Sequence, residues 1–156
     1  LCAAGLENAH TSVLEILHRA VAVKVGIVER DPYETGERSV LNFGHTIGHA
    51  VEAASGFSVR HGEAVAIGMA AESRLAERME IARGGLSDEI CATLSNVGLP
   101  VHLPRELPLP ALFRAMQNDK KRANGKVRFA LPEDIGRMRF PVEVAELQSV
   151  FEEDLV

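Results

Sequence analysis

Between residues 11 and 29, apolar Val13, Ile16, Leu17, Ala20, Val21, Val23 and Ile27 recur at steps of three and four, the period of one helix face. An amphipathic helix is predicted there, with Thr11 or Ser12 available as its N-cap. The segment Asp31-Pro32-Tyr33-Glu34-Thr35-Gly36 ends it, because proline disfavours helical dihedrals in the residue before it and glycine frees the backbone after it. A turn therefore presents Glu34. Two more helices are predicted over residues 38–54, closing near Gly56, and 62–82, closing at Gly84-Gly85. Their interiors hold Gly44, Gly48 and Gly68. An interior glycine costs about 1 kcal/mol against alanine, so these three point to close approach, either of another backbone or of a ligand.

Ser87 is placed to cap a fourth helix reaching Val97, with Asp88 and Glu89 in its first turn, and Gly98-Leu99-Pro100 stops it. The proline-rich stretch that follows carries Val101, Leu103, Leu107 and Leu109, apolar enough to pack as a loop within one domain. A short helix over 109–118 delivers Asp119-Lys120-Lys121-Arg122. Residues 126–131 then alternate polar and apolar, and 138–140 can pair with them across Asp134-Ile135-Gly136. A last amphipathic helix is predicted over 142–153. The expected fold is mainly α and multi-helical, with a small β-hairpin near residues 126–140, in one domain spanning 1–156.

Composition narrows the function classes. A chain of 156 residues can bury roughly two-thirds of the surface its unfolded form exposes. With 46% hydrophobic, 25% charged and only 4% aromatic residues and no Trp, its core is expected to consist of Leu, Val, Ile, Ala and Met. A net charge of -5 argues against a general nucleic-acid surface, so any anion site is local. Cys2 and Cys91 match no metal or redox spacing and read as incidental thiols, consistent with a reducing cytoplasm. No apolar run reaches the length of a membrane span. The chain starts at Leu1 rather than Met, which raises the possibility of a fragment.

The chemistry concentrates in one short span. His45 and His49 stand four apart, which on a helix puts both rings on one face, and His61 precedes the next helix, from where it can fold back toward them. A catalytic Zn²⁺ typically takes three protein ligands and keeps a position for water or substrate. Two histidines plus one further group would satisfy that and free the remaining histidine for proton transfer. Arg38, Asn42, His45 and His49 step along the predicted helix at four, three and four, a polar stripe where an apolar face is expected. Lys24, Arg38 and the Lys120-Lys121 pair could each be surface charge, but together they suit a phosphate or carboxylate. His10, His18 and His102 have no such company.

The series Glu34-Thr35-Gly36-Glu37-Arg38, Leu41-Asn42-Phe43-Gly44-His45-Thr46-Ile47-Gly48-His49-Ala50, His61-Gly62-Glu63-Ala64-Val65-Ala66-Ile67-Gly68-Met69, Gly98-Leu99-Pro100 and Asp119-Lys120-Lys121 resembles the C-terminal half of 3-dehydroquinate synthase, within the sugar phosphate cyclases. The resemblance covers about residues 22–136 in order. It implies a helical domain forming one wall of a cleft whose other wall is an NAD-binding α/β domain. It further implies conversion of 3-deoxy-arabino-heptulosonate 7-phosphate to 3-dehydroquinate and phosphate in the shikimate pathway, with transient oxidation by NAD⁺, by a cytoplasmic homodimer.

By position, His45 and His61 resemble the histidine ligands of Zn²⁺ (or Co²⁺), His49 the proton-handling histidine and Glu34 a site carboxylate. Lys24, Arg38, Asn42 and one of Lys120 and Lys121 resemble substrate-binding groups. The family's third zinc ligand, a Glu, and its glycine-rich dinucleotide site lie upstream of the matching segment, so the 156 residues are expected to be a metal- and substrate-binding fragment, inactive alone. Three alternatives stay open. One is a sibling cyclase of the 2-epi-5-epi-valiolone or 2-deoxy-scyllo-inosose synthase type; another is the helical domain of an iron-dependent alcohol dehydrogenase, against which the cations argue. The third is a non-catalytic metal-binding module.

Overall fold

A computed structural model describes residues 10–122 and 127–144, with side chains for 13–117 and 127–144. Helix α1 (His10–Arg30) is followed by a 3₁₀ helix (Glu37–Asn42), α2 (His45–Ala54), α3 (His61–Arg78), α4 (Leu86–Asn96), α5 (Leu109–Arg122) and an antiparallel hairpin of β1 (Val127–Asp134) and β2 (Arg137–Val144). The expectation of a mainly α fold with one small hairpin holds. No helix among the described residues is long and apolar enough to cross a membrane.

The core lies where α2, α3 and α5 meet the inner face of β1. Val51, Ala64, Leu75, Phe129 and Leu131 have no exposure, and Ile47, Leu112, Met116 and Val127 almost none. The aliphatic core expected from composition thus has an aromatic centre, Phe129. β1 is buried along most of its length because it packs on both α3 and α5, whereas β2 alternates exposed and covered positions as an edge strand does. Leu107 from the proline-rich connector is buried, and Leu103 and Leu109 pack against the core, so this segment is part of the domain.

The helices α2 and α3 form an antiparallel pair joined by residues 55–60. Gly44 lies against Val65 and Met69, and Gly48 against Ala64 and Val65. A Cβ on Gly68 would stand 1.9 Å from the Gly44 carbonyl oxygen, so here the close approach is of backbone to backbone. Ala64, Ala66, Ala70, Ala71 and Ala76 on α3 are buried as well. The loop starts where the Phe57 N–H donates to the Glu52 carbonyl at 2.8 Å and the Gly56 N–H to that of Ala53 at 3.2 Å, which satisfies carbonyls left over at the helix end. At the other end of the loop the Glu63 carboxylate accepts the Arg60 N–H at 3.3 Å and opens α3 at His61.

Several sequence expectations are corrected. The helix predicted over 38–54 is two elements, because Gly44 adopts a left-handed φ of 79° and the chain re-enters helix only at His45. The third helix ends at Arg78, not near 82: Glu80 turns to a φ of 55°, and the N–H groups of Ile81 and Ala82 fold back onto the Ala76 carbonyl. Ser87 is not the cap of α4. Gly85 holds that position, and the Ser87 hydroxyl donates to Glu77 at 2.8 Å. Residues 142–144 are strand, since Val142 and Val144 pair with Phe129 and Val127; the remainder of the predicted last helix lies outside the described residues. Helix α1 forms as expected, yet Val13, Leu17, Val21 and Val23 on it are 37–62% exposed, so the described residues do not cover the face that the periodicity marks as apolar.

Candidate functional site

Asp31 organises the entry to the site. Its carboxylate accepts the N–H of Thr35 at 2.8 Å, of Gly36 at 2.9 Å and of Arg38 at 3.0 Å, and the Thr35 hydroxyl at 3.0 Å. These bonds close the turn and cap the 3₁₀ helix. They also hold the Asp31 carboxyl down at about 2, with the Arg38 and Thr35 amides the largest causes. Because the folded value lies below the ordinary one near 3.9, the stability Asp31 contributes is present above about pH 4 and is lost as pH falls toward about 2. The Asp31→Asn variant is expected to be less stable than the parent at pH 6, with the gap closing below pH 3; a gap unchanged from pH 6 to pH 2 in urea titrations would contradict this.

The turn forces Glu34 to a φ of 54°, a conformation uncommon for a residue with a side chain. Strain of this kind persists where the surroundings over-determine it, as the Asp31 bonds do here. Glu34 thereby meets the 3₁₀ helix, where Asn42 donates to its Oε1 at 3.2 Å.

The three histidines predicted to converge do so. Ring centroids lie 5.5 Å apart for His45–His49 and for His45–His61, and 6.0 Å apart for His49–His61. Two of the rings are oriented from behind: His45 Nδ1 is 3.2 Å from the Phe43 carbonyl, and His61 Nδ1 is 3.2 Å from Glu52 Oε1. An acceptor at Nδ1 favours the tautomer that carries its proton there and leaves Nε2 with a lone pair, the arrangement metal-ligating histidines use. His49 has no such acceptor among the described residues. Its ligand atoms nevertheless lie within 4.8 Å of those of Glu52 and His61, so a three-donor set of two imidazoles and a carboxylate is already assembled. Imidazole and carboxylate donors suit Zn²⁺ or Co²⁺.

An open cleft of about 480 Å³ runs along this cluster, lined by Glu34, Ser39, Asn42, His45, Thr46 and His49 on one side and by Arg128, Ala130 and Phe140 of the hairpin on the other. The Thr46 hydroxyl donates to the Arg128 carbonyl at 3.3 Å and ties the two sides together. The single polar stripe expected along one helix does not exist, because the break at Gly44 separates Arg38 and Asn42 from His45 and His49. Asn42 still faces the cleft. Arg38 does not line it and donates to the Pro32 carbonyl at 3.0 Å, while Lys24 is on an exposed part of α1. The Lys120 and Lys121 side chains lie outside the described residues, although their backbone belongs to the last turns of α5.

Sequence reasoning missed three participants. Glu52 stands three residues after His49, a helical-face spacing that could have marked it. Glu72 follows Gly68 and Ala64 at steps of four, on the face of α3 turned toward α2, so its burial was also legible. Arg128 carries no such signal, since only the folding of the hairpin over α2 brings it to the cleft.

The family model for 3-dehydroquinate synthase C-terminal matches residues 3–122. The chain belongs to the 3-dehydroquinate synthase family. Within it, the chain is 44% identical to 3-dehydroquinate synthase of Synechococcus sp. over 130 residues, 83% of this chain and 35% of the relative. Curated relatives of this kind are spanned over little more than a third of their length, 35% to 40% for the first two. Among solved structures, 2-deoxy-scyllo-inosose synthase complexed with carbaglucose-6-phosphate, NAD⁺ and Co²⁺ superimposes with a TM-score of 0.75 at 25% identity, covering 86% of this chain and 40% of that one. The 2-epi-5-epi-valiolone synthase of Streptomyces hygroscopicus, with NAD⁺ and Zn²⁺ bound, gives 0.70 at 27% identity over 90% of this chain and 41% of its own.

Proposed function

We propose that residues 1–156 form the C-terminal metal- and substrate-binding domain of a 3-dehydroquinate synthase, which converts 3-deoxy-arabino-heptulosonate 7-phosphate to 3-dehydroquinate and phosphate. The observation that carries the reading is the pair His45 and His61, each with Nδ1 held by an acceptor and Nε2 directed away from it, beside a third imidazole with no such acceptor among the described residues. His45 and His61 are the metal ligands, Zn²⁺ or Co²⁺ the metal, and His49 the proton carrier. When bound, the metal would supply Lewis acidity toward a substrate hydroxyl, and NAD would supply a hydride acceptor. The upstream part of the full-length protein supplies most of the NAD contacts. The family likeness extends the proposal to a cytoplasmic homodimer.

The remaining residues bind and orient. Asn42 and Glu34 form one polar edge of the cleft, and their mutual hydrogen bond keeps the carboxylate from swinging away. Arg128 offers a guanidinium on the opposite edge, half-exposed and only loosely paired to Glu143 at 3.7 Å, so it remains available to a substrate anion. Arg38, Lys24 and one of Lys120 and Lys121 are assigned to the phosphate and carboxylate as well. Fixing both ends of a flexible sugar acid favours elimination and ring closure over side reactions.

The sibling cyclases remain the second reading, because the solved structures that superimpose on this chain carry those activities. Phosphate release by the full-length protein separates them: turnover of the heptulosonate phosphate without turnover of a hexose 6-phosphate or of a heptulose 7-phosphate lacking the carboxylate is expected, and the reverse would overturn the assignment. Glu52 stands behind His61, its Oε1 3.2 Å from Nδ1. Glu52→Ala is expected to weaken Co²⁺ binding by about 10- to 100-fold in a chelator competition, and an unchanged affinity would remove Glu52 from the site.

A further inference from the structure

Glu72 has no exposed surface, yet it lies in the middle of α3 among alanines. Burial pushes its carboxyl up to about 8, against the opposing pull of the backbone amides it faces. Among the described residues its partners come from the start of α2. The Gly44 N–H donates to Oε2 at 2.6 Å and the Ile47 N–H to Oε1 at 3.2 Å. α2 needs such a partner, because its N-cap is Gly44, which has no side chain to satisfy the free N–H groups of the first turn. The cap is supplied instead from 28 residues away in sequence.

The two bonded amides bracket His45. Its ring leaves the backbone between them and is held a second time at Nδ1 by the Phe43 carbonyl, whose residue immediately precedes Gly44. Alternative roles fit less well. Glu72 does not line the cleft, and its hydrogen bonds go to backbone N–H groups rather than to the three imidazoles, so it is not itself a ligand or proton carrier. Its placement at the α2–α3 crossing also exceeds what packing requires, since Gly68 already brings the backbones together.

We propose that Glu72 is a positioning residue: its buried carboxyl caps α2 from α3 and so sets the direction in which His45 presents Nε2 to the metal site. The inference rests on the reading of His45 as a metal ligand. Its effect is transmitted through the backbone at Gly44 and Ile47. A glutamine keeps one of the two acceptor oxygens; an alanine keeps none.

The test uses the full-length protein with Glu72→Ala, Glu72→Gln and a core control, Leu75→Ala, which removes a fully buried side chain one turn further along α3. Two signals are read: Co²⁺ affinity with its visible absorption band, and the ¹H–¹⁵N imidazole spectrum of metal-free His45, which reports its tautomer. Glu72→Ala is expected to weaken Co²⁺ binding by about tenfold or more and to lose the Nδ1–H tautomer of His45. Glu72→Gln, whose NH₂ must face one of the two N–H groups, should lose part of both signals but less than Glu72→Ala, and Leu75→Ala should leave both in place at a comparable loss of thermal stability. Equal effects from Leu75→Ala and Glu72→Ala, or unchanged signals in Glu72→Ala, overturn the proposal. If Glu72→Ala does not fold, a loss of both signals in Glu72→Gln that Leu75→Ala does not share supports the proposal, and equal signals in the two variants overturn it. A parent protein that binds no Co²⁺ overturns the metal reading of His45 instead, and the tautomer signal still decides whether Glu72 positions the ring.

Discussion

His49→Ala in the full-length protein is expected to lower kcat by about 10²- to 10⁴-fold, the usual contribution of a positioned acid–base group, while bound metal stays stoichiometric. His45→Ala and His61→Ala are expected to lose the metal and the activity together. The contrast follows from what stands behind each ring: His45 and His61 have acceptors at Nδ1, and His49 has none among the described residues. It also discriminates between two ligand sets in one cluster, because the donors of His49, Glu52 and His61 already lie within 4.8 Å of one another. Metal content and turnover measured on the same preparations decide. If His49→Ala loses metal and His45→Ala keeps it, the ion belongs to the second set and the proton-carrier role of His49 fails.

Gly68→Ala is expected to destabilise the fold by about 3 kcal/mol or more, at the upper end of overpacking costs. The added Cβ would meet the Gly44 carbonyl oxygen at 1.9 Å, its carbon at 2.8 Å and the Gly48 nitrogen at 2.9 Å. All three are backbone atoms, so no side chain can swing away and α2 itself must move. The helix-propensity gain of alanine over glycine, about 1 kcal/mol, is too small to offset this. Gly62→Ala, in the same helix with nothing within 4 Å of the new atom, provides the control and should be neutral or slightly stabilising. Urea unfolding of the two variants measures the difference, and equal midpoints would show that the α2–α3 crossing is looser than described. Because α2 carries His45 and His49, a folded Gly68→Ala protein should also bind Co²⁺ more weakly.

The periodic segments were legible because their signal is local. The apolar steps of α1, the stop at Pro32, the acidic first turn of α4 and the turn at Gly136 between β1 and β2 each depend on a few neighbouring residues. The convergence of His45, His49 and His61 was legible for a related reason: a four-residue step and one short helix-to-helix loop leave the rings few other places to go. Where the reading failed, local and long-range preferences conflicted. Residues 38–54 have a continuous helical pattern, but a backbone crossing at Gly68 and a carboxyl from Glu72 favour a break at Gly44. Val142 looked like the start of a helix until a cross-strand partner, Phe129, was available to it.

By itself, then, the order of residues determined the kinds of element, the histidine cluster and the family, all of which rest on spacing within short stretches. Tertiary structure alone decided that Glu52 stands behind His61, that Glu72 caps α2, that Arg128 faces the cleft and that Arg38 turns to the Pro32 carbonyl. These contacts join residues from 6 to 82 positions or more apart, as with Thr46 and Arg128. Which of many polar groups becomes a partner over such distances is set by burial, since a polar group removed from water must find the donor or acceptor that the packed helices leave nearest.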